Sequence, residues 1–177
     1  MKQESFFATK RTACAITGHR KLPVDFNKEQ VSNVLEQLVQ SGVITFYNGL
    51  ALGFDLLCAE ILLDLKKKYP AIHLIGCVPF YGQESSFPAE EKKRYVSVLK
   101  QCDDVVILSQ SYYKACCLVR DQYMVDRADV LVAYCVKKTG GAAYTLKQFL
   151  KRKDKDESDV FFVGLPAANL SEEKEST

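Results

Sequence analysis

The sequence is poor in the residue types that mark several specialised classes of protein. Its 177 residues include no tryptophan, two histidines and five prolines. No apolar run approaches the roughly 20 residues that a membrane-spanning helix needs, so we expect no membrane span. None of the seven cysteines stands in a CxxC or CxxxH spacing, and no metal site is predicted. Residues 1–13 are too polar for a signal peptide, so we expect a cytoplasmic protein with reduced thiols.

Neither sign of charge dominates, because 24 basic side chains stand against 22 acidic ones and the net charge is +2. Nucleic acid is therefore not an expected partner, since phosphate binding usually needs a basic face. Hydrophobic residues make up 47% of the chain and charged residues 26%, as in an ordinary globular protein. We expect one domain over residues 11–166, an N-terminal extension over 1–10 and a flexible acidic tail over 167–177.

Short apolar runs rich in valine and isoleucine alternate with patterns of helical spacing. The strand candidates are residues 13–17, 43–47, 72–78, 105–108, 130–135 and 160–163. Strands that are apolar on both faces are typical of a buried parallel sheet. The alternation predicts an α/β fold with a mainly parallel sheet of about six strands and helices on both faces. Ligands of such sheets bind beyond the carboxyl ends of the strands, so we expect the binding site in the loops there.

The first strand runs into Thr17-Gly18-His19-Arg20. Gly18 allows a ligand to approach the backbone, Thr17 offers a hydroxyl, and the planar fork of Arg20 suits a phosphate. His19 can donate a hydrogen bond or titrate near neutral pH. A tight turn with solvated polar neighbours explains the same residues equally well.

The second strand ends in a glycine-bearing loop, Gly49–Asp55, that leads into a helix. Free N–H groups at a helix start form an anion site, although this loop carries neither the GxGxxG fingerprint nor a Walker lysine. Asp55 either caps the helix or accepts hydrogen bonds from a ribose. Glu60 lies on the apolar stripe of the same helix and therefore needs a ligand or a structural partner such as an arginine.

A third loop places Gly140-Gly141 before the last helix, which again suits either a phosphate cradle or a plain turn. Arg120 can reach the same edge of the sheet. Tyr112 and Tyr113 follow the fourth strand and could stack on a base, although surface tyrosines are equally common. The three glycine-bearing loops together predict one binding site at the carboxyl edge.

As a set, these loop motifs are similar to those of a known family. The motifs are Thr17-Gly18-His19-Arg20, Gly49–Asp55 with Ala59-Glu60, Arg120–Asp126, and Gly140-Gly141 with Tyr144-Thr145. In this order, over residues 11–153, they resemble the YpsA-like branch of the SLOG superfamily, which also groups the Smf/DprA DNA-processing proteins and the LOG phosphoribohydrolases. The resemblance implies a Rossmann-like three-layer α/β/α sandwich that binds a nucleotide or a nucleotide-derived ligand, and that in some members senses this ligand.

NAD, ADP-ribose or a mononucleotide is the ligand class that the resemblance implies, with no cofactor required. The expected ligand-binding residues are Thr17, Gly18, His19, Arg20, Gly49, Ala51, Gly53, Asp55, Arg120, Asp126, Gly140, Gly141 and Thr145. The chain departs from the family pattern in three places: Leu50 replaces a usual glycine, Asp121 a usual asparagine, and Ala142 a usual threonine. These departures affect the backbone, the charge and a hydroxyl of the expected phosphate site.

Two other functions remain open from the sequence. A LOG-like nucleotide N-glycosidase would use Glu60 at the ribosyl centre and Arg120 at the phosphate. The helix after Gly140-Gly141 lacks the glutamate of the LOG motif, which argues against that chemistry. A DprA-like protein would bind single-stranded DNA, against which the near-neutral charge argues. A homodimer is expected by analogy with relatives.

Overall fold

Six strands and five helices alternate along residues 10–164, the part of the chain that this computed structural model describes. The strands are β1 (Ala13–Gly18), β2 (Thr45–Asn48), β3 (His73–Val78), β4 (Asp104–Ile107), β5 (Val130–Tyr134) and β6 (Val160–Phe162). The helices are α1 (Lys28–Gln40), α2 (Phe54–Lys68), α3 (Ala89–Gln101), α4 (Cys116–Arg127) and α5 (Gly141–Lys151). Apart from Lys10, the expected extension over 1–10 and tail over 167–177 lie outside the described residues.

The strands form one sheet in the order β4-β3-β2-β1-β5-β6, and each neighbouring pair is parallel. β1 is paired with β5 from Cys14 opposite Val130 to Gly18 opposite Tyr134. The predicted α/β fold with about six mainly parallel strands is confirmed. Because every strand points the same way, the loops that follow them all emerge at one edge of the sheet.

Helices cover both faces of the sheet, which makes three layers. The alternation of side chains along a strand divides β1 between two cores. Cys14 and Ile16 pack with α1, α2 and α3 on one face, and Ala15 packs with α4 and α5 on the other. The strands are apolar on both faces because each face is buried under helices.

Each strand begins and ends within two residues of its predicted bounds, and local contacts explain some of the ends. The Asn27 side chain caps α1 by accepting a hydrogen bond from the Gln30 N–H at 2.9 Å. Val43, predicted at the start of β2, instead donates its N–H to the Leu38 carbonyl at 3.0 Å and closes the end of α1. β2 therefore begins at Thr45 rather than at Val43.

The order in which the strands are added to the sheet changes direction between β1 and β5. From β1 it moves outward through β2 and β3 to β4, and then crosses back to place β5 on the other side of β1. The connection after β1 leads to α1 on one face, and the connection after β5 leads to α5 on the other. The loops therefore separate at this point and leave a crevice, where open α/β sheets bind their ligands.

Candidate functional site

A pocket of 260 Å³ lies at this crevice, and we call it the carboxyl-edge pocket. Four separate chain segments form its walls: the end of β1 with the following loop, the start of α2, the start of α4 and the start of α5. Its lining residues are Ile16, Thr17, Gly18, His19, Arg20, Ala51, Asp55, Cys117, Leu118, Arg120, Asp121, Gly141 and Ala142. The volume falls just below the roughly 300–1,000 Å³ of pockets that enclose a drug-sized ligand.

The loop after β1 contributes one cation and one neutral imidazole to the pocket. Arg20 is exposed at its rim. His19 accepts a hydrogen bond at Nε2 from the Val136 N–H at 2.9 Å, which ties this loop to the one after β5. Burial and the charge of Lys137 lower the pKa of His19 below its ordinary value. His19 is therefore neutral near pH 7 and serves as an acceptor within the protein.

Gly18 is required by packing against a neighbouring ring. A Cβ atom at this position would lie 2.3 Å from Cδ1 of Phe54. Phe54 belongs to an aromatic cluster with Phe26 and Tyr134, whose ring centroids lie 6.1 and 5.7 Å from its own. The close approach that the sequence assigned to a ligand is made here by the first residue of α2.

The loop between β2 and α2 is held by its own backbone and side chains. A Cβ at Gly53, which has a φ of 79°, would lie 2.3 Å from the Arg20 carbonyl oxygen. The Phe54 N–H donates to the His19 carbonyl at 3.1 Å, and the Asp55 carboxylate accepts from the Ala51 N–H at 3.3 Å. These donors are already used within the protein, so this loop does not offer them to a phosphate.

Arg120 crosses the floor of the pocket and is 4% exposed. Its Nη1 donates to the Gly49 carbonyl at 2.6 Å, and its Nε donates to Oδ1 of Asp121 at 2.7 Å. A Cβ at Gly49 would lie 2.4 Å from Nη1, so glycine is needed there to admit the guanidinium. Arg120 thus joins the β2–α2 loop to α4 as well as lining the pocket.

Two buried carboxyl groups flank this guanidinium. Burial raises the pKa of Asp55 to about 7, while Arg120 opposes the shift and Asp121 adds to it. Burial also raises the pKa of Asp121, against the attraction of Arg120. A carboxyl group that titrates near neutral pH in a cleft is typical of functional sites, although structural charge clusters give the same shift.

The start of α5 forms the opposite wall. Gly140 has a φ of 97°, and α5 begins without a side-chain cap among the described residues. The nearest atom to a Cβ placed on Gly141 is Oδ2 of Asp121 at 3.9 Å. Thr145 is fully buried and donates its hydroxyl to the Gly141 carbonyl at 2.8 Å. Gly141 therefore borders the pocket, while Thr145 supports the turn from behind.

The structure brings together eight of the predicted residues in one pocket. They are Thr17, Gly18, His19, Arg20, Ala51, Asp55, Arg120 and Gly141. Gly49, Gly53, Gly140 and Thr145 are not among its lining residues. Gly49 and Gly53 nevertheless pack directly against lining groups, and the Thr145 side chain hydrogen-bonds the lining residue Asp121. Asp126 lies further along α4, where its carboxylate accepts a hydrogen bond from Gln122 at 2.7 Å.

Glu60, the candidate catalytic carboxylate, also lies outside the carboxyl-edge pocket. It accepts two hydrogen bonds from Arg94 of α3, both at 2.8 Å, and lines a separate hollow of 440 Å³ between α2 and α3. Five residues separate it from Asp55, which rotates it by roughly 140° around the helix. Of the two readings of Glu60, the structure contains the ion pair with an arginine.

Three lining residues of α4 were not predicted as ligand contacts: Cys117, Leu118 and Asp121. Cys117, Arg120 and Asp121 are spaced three and four positions apart. This helical spacing alone places Cys117, Arg120 and Asp121 on one face of α4. The signal was present once α4 was known to begin at Cys116. Burial raises the pKa of Cys117, which keeps this half-buried thiol protonated.

Residues 10–164 contain neither a cluster of metal-ligating side chains nor a membrane-spanning helix. In this range no group of three or more histidine, cysteine, aspartate or glutamate side chains is placed to hold a metal ion. None of the helices described there is long and apolar enough to cross a membrane. All seven cysteines fall within the described residues and are free thiols.

Sequence relatives cover most of the chain. The profile of the YspA SLOG family matches residues 11–166. A UPF0398 protein of Halalkalibacterium halodurans is 28% identical over 163 residues, which span 90% of this chain and 86% of the relative. The UPF0398 protein YpsA of Bacillus subtilis is 27% identical over 152 residues, which span 84% of each chain.

Two solved structures share the fold. DNA processing protein A from Helicobacter pylori, whose study concerns its single-stranded DNA binding mode, superposes with a TM-score of 0.60 at 18% identity. DNA processing protein A from Streptococcus pneumoniae superposes with a TM-score of 0.63 at 17% identity. The matches cover 88% and 92% of this chain but 66% and 53% of those proteins. At such identities the likeness establishes the fold alone.

Proposed function

The chain belongs to the YspA SLOG family, and we propose that it binds a nucleotide or a nucleotide-derived ligand, such as ADP-ribose, NAD or a mononucleotide, in the carboxyl-edge pocket. One observation carries the proposal: four distant segments converge at the topological switch point of a parallel sheet and enclose a 260 Å³ pocket. Ligands of open α/β sheets bind at this position.

The pocket supplies groups suited to the parts of a nucleotide. Asp55 is buried beside the space and can accept hydrogen bonds from ribose hydroxyls. Arg20 is exposed at the rim, where its guanidinium can pair with a phosphate. Since 260 Å³ is small, the pocket encloses one nucleoside-sized group, and the rest of a dinucleotide extends past the rim.

Differential scanning fluorimetry with ADP-ribose, NAD and the common nucleosides and mononucleotides tests this proposal. A ligand that binds the folded state alone raises the melting temperature. Asp55→Asn should reduce that rise, and Asp64→Asn, an exposed carboxylate on the same helix, should leave it unchanged. No stabilisation of the wild-type protein by any of these compounds contradicts the proposal.

A second candidate function is single-stranded nucleic-acid binding along the same edge. Tyr81 and Tyr112 are 70% and 67% exposed, and the Tyr81 N–H donates to the Ser109 carbonyl, which joins the loops after β3 and β4. Exposed aromatic rings stack on bases without regard to sequence. A gel-shift series with an oligonucleotide tests this function. Binding that weakens with salt and is lost in Tyr81→Ala/Tyr112→Ala supports it, and absence of binding at low salt excludes it.

A further inference from the structure

At a pH above the raised pKa values of Asp55 and Asp121, the charges that line the carboxyl-edge pocket balance. Arg20 and Arg120 supply two positive charges, and Asp55 and Asp121 supply two negative ones when they are ionised. His19 adds no charge, because its Nε2 accepts the Val136 N–H. A pocket that bound a phosphate dianion at its inner end would need an excess of positive charge there.

Asp121 sits where a phosphate would meet α5. Its Oδ2 lies 3.9 Å from the Cβ position of Gly141, the first residue of the helix, and its Oδ1 accepts the Arg120 Nε–H at 2.7 Å. A helix N-terminus and an arginine are the two groups that most often hold a phosphate in a protein. Arg120 already donates to a carboxylate of the protein itself, and the same carboxylate lies beside the start of α5.

Arg120 is also fixed in place. Its Nη1 donates to the carbonyls of Gly49 at 2.6 Å and Cys77 at 3.4 Å, and the side chain is 5% exposed. Gln83 Nε2 also donates to the Gly49 carbonyl at 3.2 Å, so turning Arg120 toward a phosphate would cost its own bonds to these carbonyls and to Asp121 rather than leave the Gly49 carbonyl unpaired. These bonds oppose a movement of the guanidinium toward a ligand.

We propose that Asp121 determines the specificity of the carboxyl-edge pocket by excluding phosphate from its inner end. That end takes an uncharged group that donates hydrogen bonds, such as the ribose hydroxyls or the amino group of a nucleoside. The phosphates lie at the rim beside Arg20. This inference rests on the proposed function and assigns the orientation of the ligand within it.

The test compares nucleosides with their own monophosphates. Isothermal titration calorimetry at pH 8 is run with adenosine, guanosine, cytidine and uridine and with their 5′-monophosphates. The wild-type protein should bind its preferred nucleoside within about tenfold of the monophosphate. Asp121→Asn, which removes the charge and keeps the shape, should shift this ratio by about tenfold or more toward the monophosphate, because like charges oppose each other across a desolvated site. Asp64→Asn, an exposed carboxylate on α2, should not shift it.

A second pair of variants keeps the inference testable if Asp121→Asn does not fold. Arg20→Ala should weaken the monophosphate at least about tenfold more than the nucleoside, and the neighbouring exposed cation Lys21, replaced by alanine, should affect neither. Ligand binding with a ratio that Asp121→Asn leaves unchanged, or a wild-type preference for the monophosphate far above tenfold, overturns this inference and leaves the proposed function standing. Absence of binding by every probe overturns both.

Discussion

Leu50 combines a left-handed backbone with a fully buried apolar side chain. Its φ is 51°, and no part of the residue is exposed. Asn48 holds the turn by accepting the Leu50 N–H at 2.8 Å and donating to the Asp55 carbonyl at 2.8 Å. The strain of this backbone is therefore offset by burial of the side chain and by hydrogen bonds on both sides of the turn.

At position 50 we expect the glycine variant to be more stable than the alanine variant, the reverse of the usual order of stability. Leu50→Ala loses the buried side chain and keeps the strain, so we expect a loss of about 2–5 kcal/mol in the free energy of unfolding. Leu50→Gly loses one more methyl but relieves the backbone, so it should be about 1 kcal/mol more stable than the alanine variant. Urea denaturation measures both. An alanine variant that is the more stable of the two contradicts this account of the turn.

Two glycines of the same pocket should respond differently to one added methyl. In Gly18→Ala the new Cβ meets the Phe54 ring at 2.3 Å, and overpacking of this kind costs about 1–3 kcal/mol. In Gly141→Ala the nearest atom is 3.9 Å away and the residue lies in the first turn of a helix, so the stability should change by less than about 0.5 kcal/mol. Equal losses in thermal unfolding would show that packing against Phe54 is not what requires glycine at position 18.

These glycines also mark the limit of prediction at the scale of single residues. The sequence draws attention to Gly18 as a place where a ligand can approach the backbone, and to Gly49 and Gly53 as part of a tight turn with an anion site. The groups that approach are Phe54, the Arg120 guanidinium and the Arg20 backbone rather than an identified ligand. A glycine reveals that something must come near, and the identity of that neighbour depends on contacts across the folded chain.

At the scale of elements, α2 and α3 are joined by the ion pair between Glu60 and Arg94. The two side chains are 37% and 41% exposed, so solvent screens the pair and we expect Glu60→Gln to cost less than about 1 kcal/mol. Because Glu60 faces α3 rather than the carboxyl-edge pocket, ligand-induced stabilisation should be unchanged. Scanning fluorimetry with and without ligand measures both quantities. If Glu60→Gln loses the ligand-induced rise in melting temperature while Asp64→Asn keeps it, Glu60 takes part in ligand binding.

The sequence predicts the strands and helices better than it predicts the contacts of single residues. Each of the six apolar runs forms a strand, because length and β-branched composition distinguish buried strands from the amphipathic helices between them. The face of a helix is harder to assign where two partners are available. Asp55 and Glu60 belong to one helix, yet the first faces the pocket and the second faces α3, and only the packing of α2 decides which.

For the whole molecule, the two buried carboxyl groups predict how stability depends on pH. Burial raises the pKa of Asp55 to about 7 in the folded state, against about 3.9 in the unfolded chain. The folded state therefore binds more protons between these values, and this group makes the protein less stable as the pH rises from about 4 to 7. The raised pKa of Asp121 acts in the same direction.

Asp55→Asn should remove part of this dependence. The decline in the free energy of unfolding between pH 5 and pH 8 should be smaller in the variant than in the wild-type protein, because the amide does not titrate. Chemical denaturation at the two pH values gives the two slopes, and Asp64→Asn serves as the control for loss of one exposed carboxylate. Equal slopes in Asp55→Asn and wild type would contradict the raised pKa.

At this largest scale, the alternation of strands and helices and the resemblance to the SLOG superfamily were both readable from the sequence and are confirmed. The charge balance of the pocket was not readable. It depends on Arg120 lying between Asp55 and Asp121, and these residues come together through the crossover that returns the chain from β4 to β5. The spacing of these residues along the sequence does not show that they come together in the fold.

Because four chain segments form the carboxyl-edge pocket, binding of a ligand there depends on the strands of the sheet remaining paired. β1 and β5 are neighbouring interior strands, and the loops that follow them form opposite walls of the same cavity. A local opening of either strand would separate those walls and release whatever they hold. A bound molecule would therefore slow amide hydrogen exchange in these two interior strands themselves, well beneath the surface that it touches.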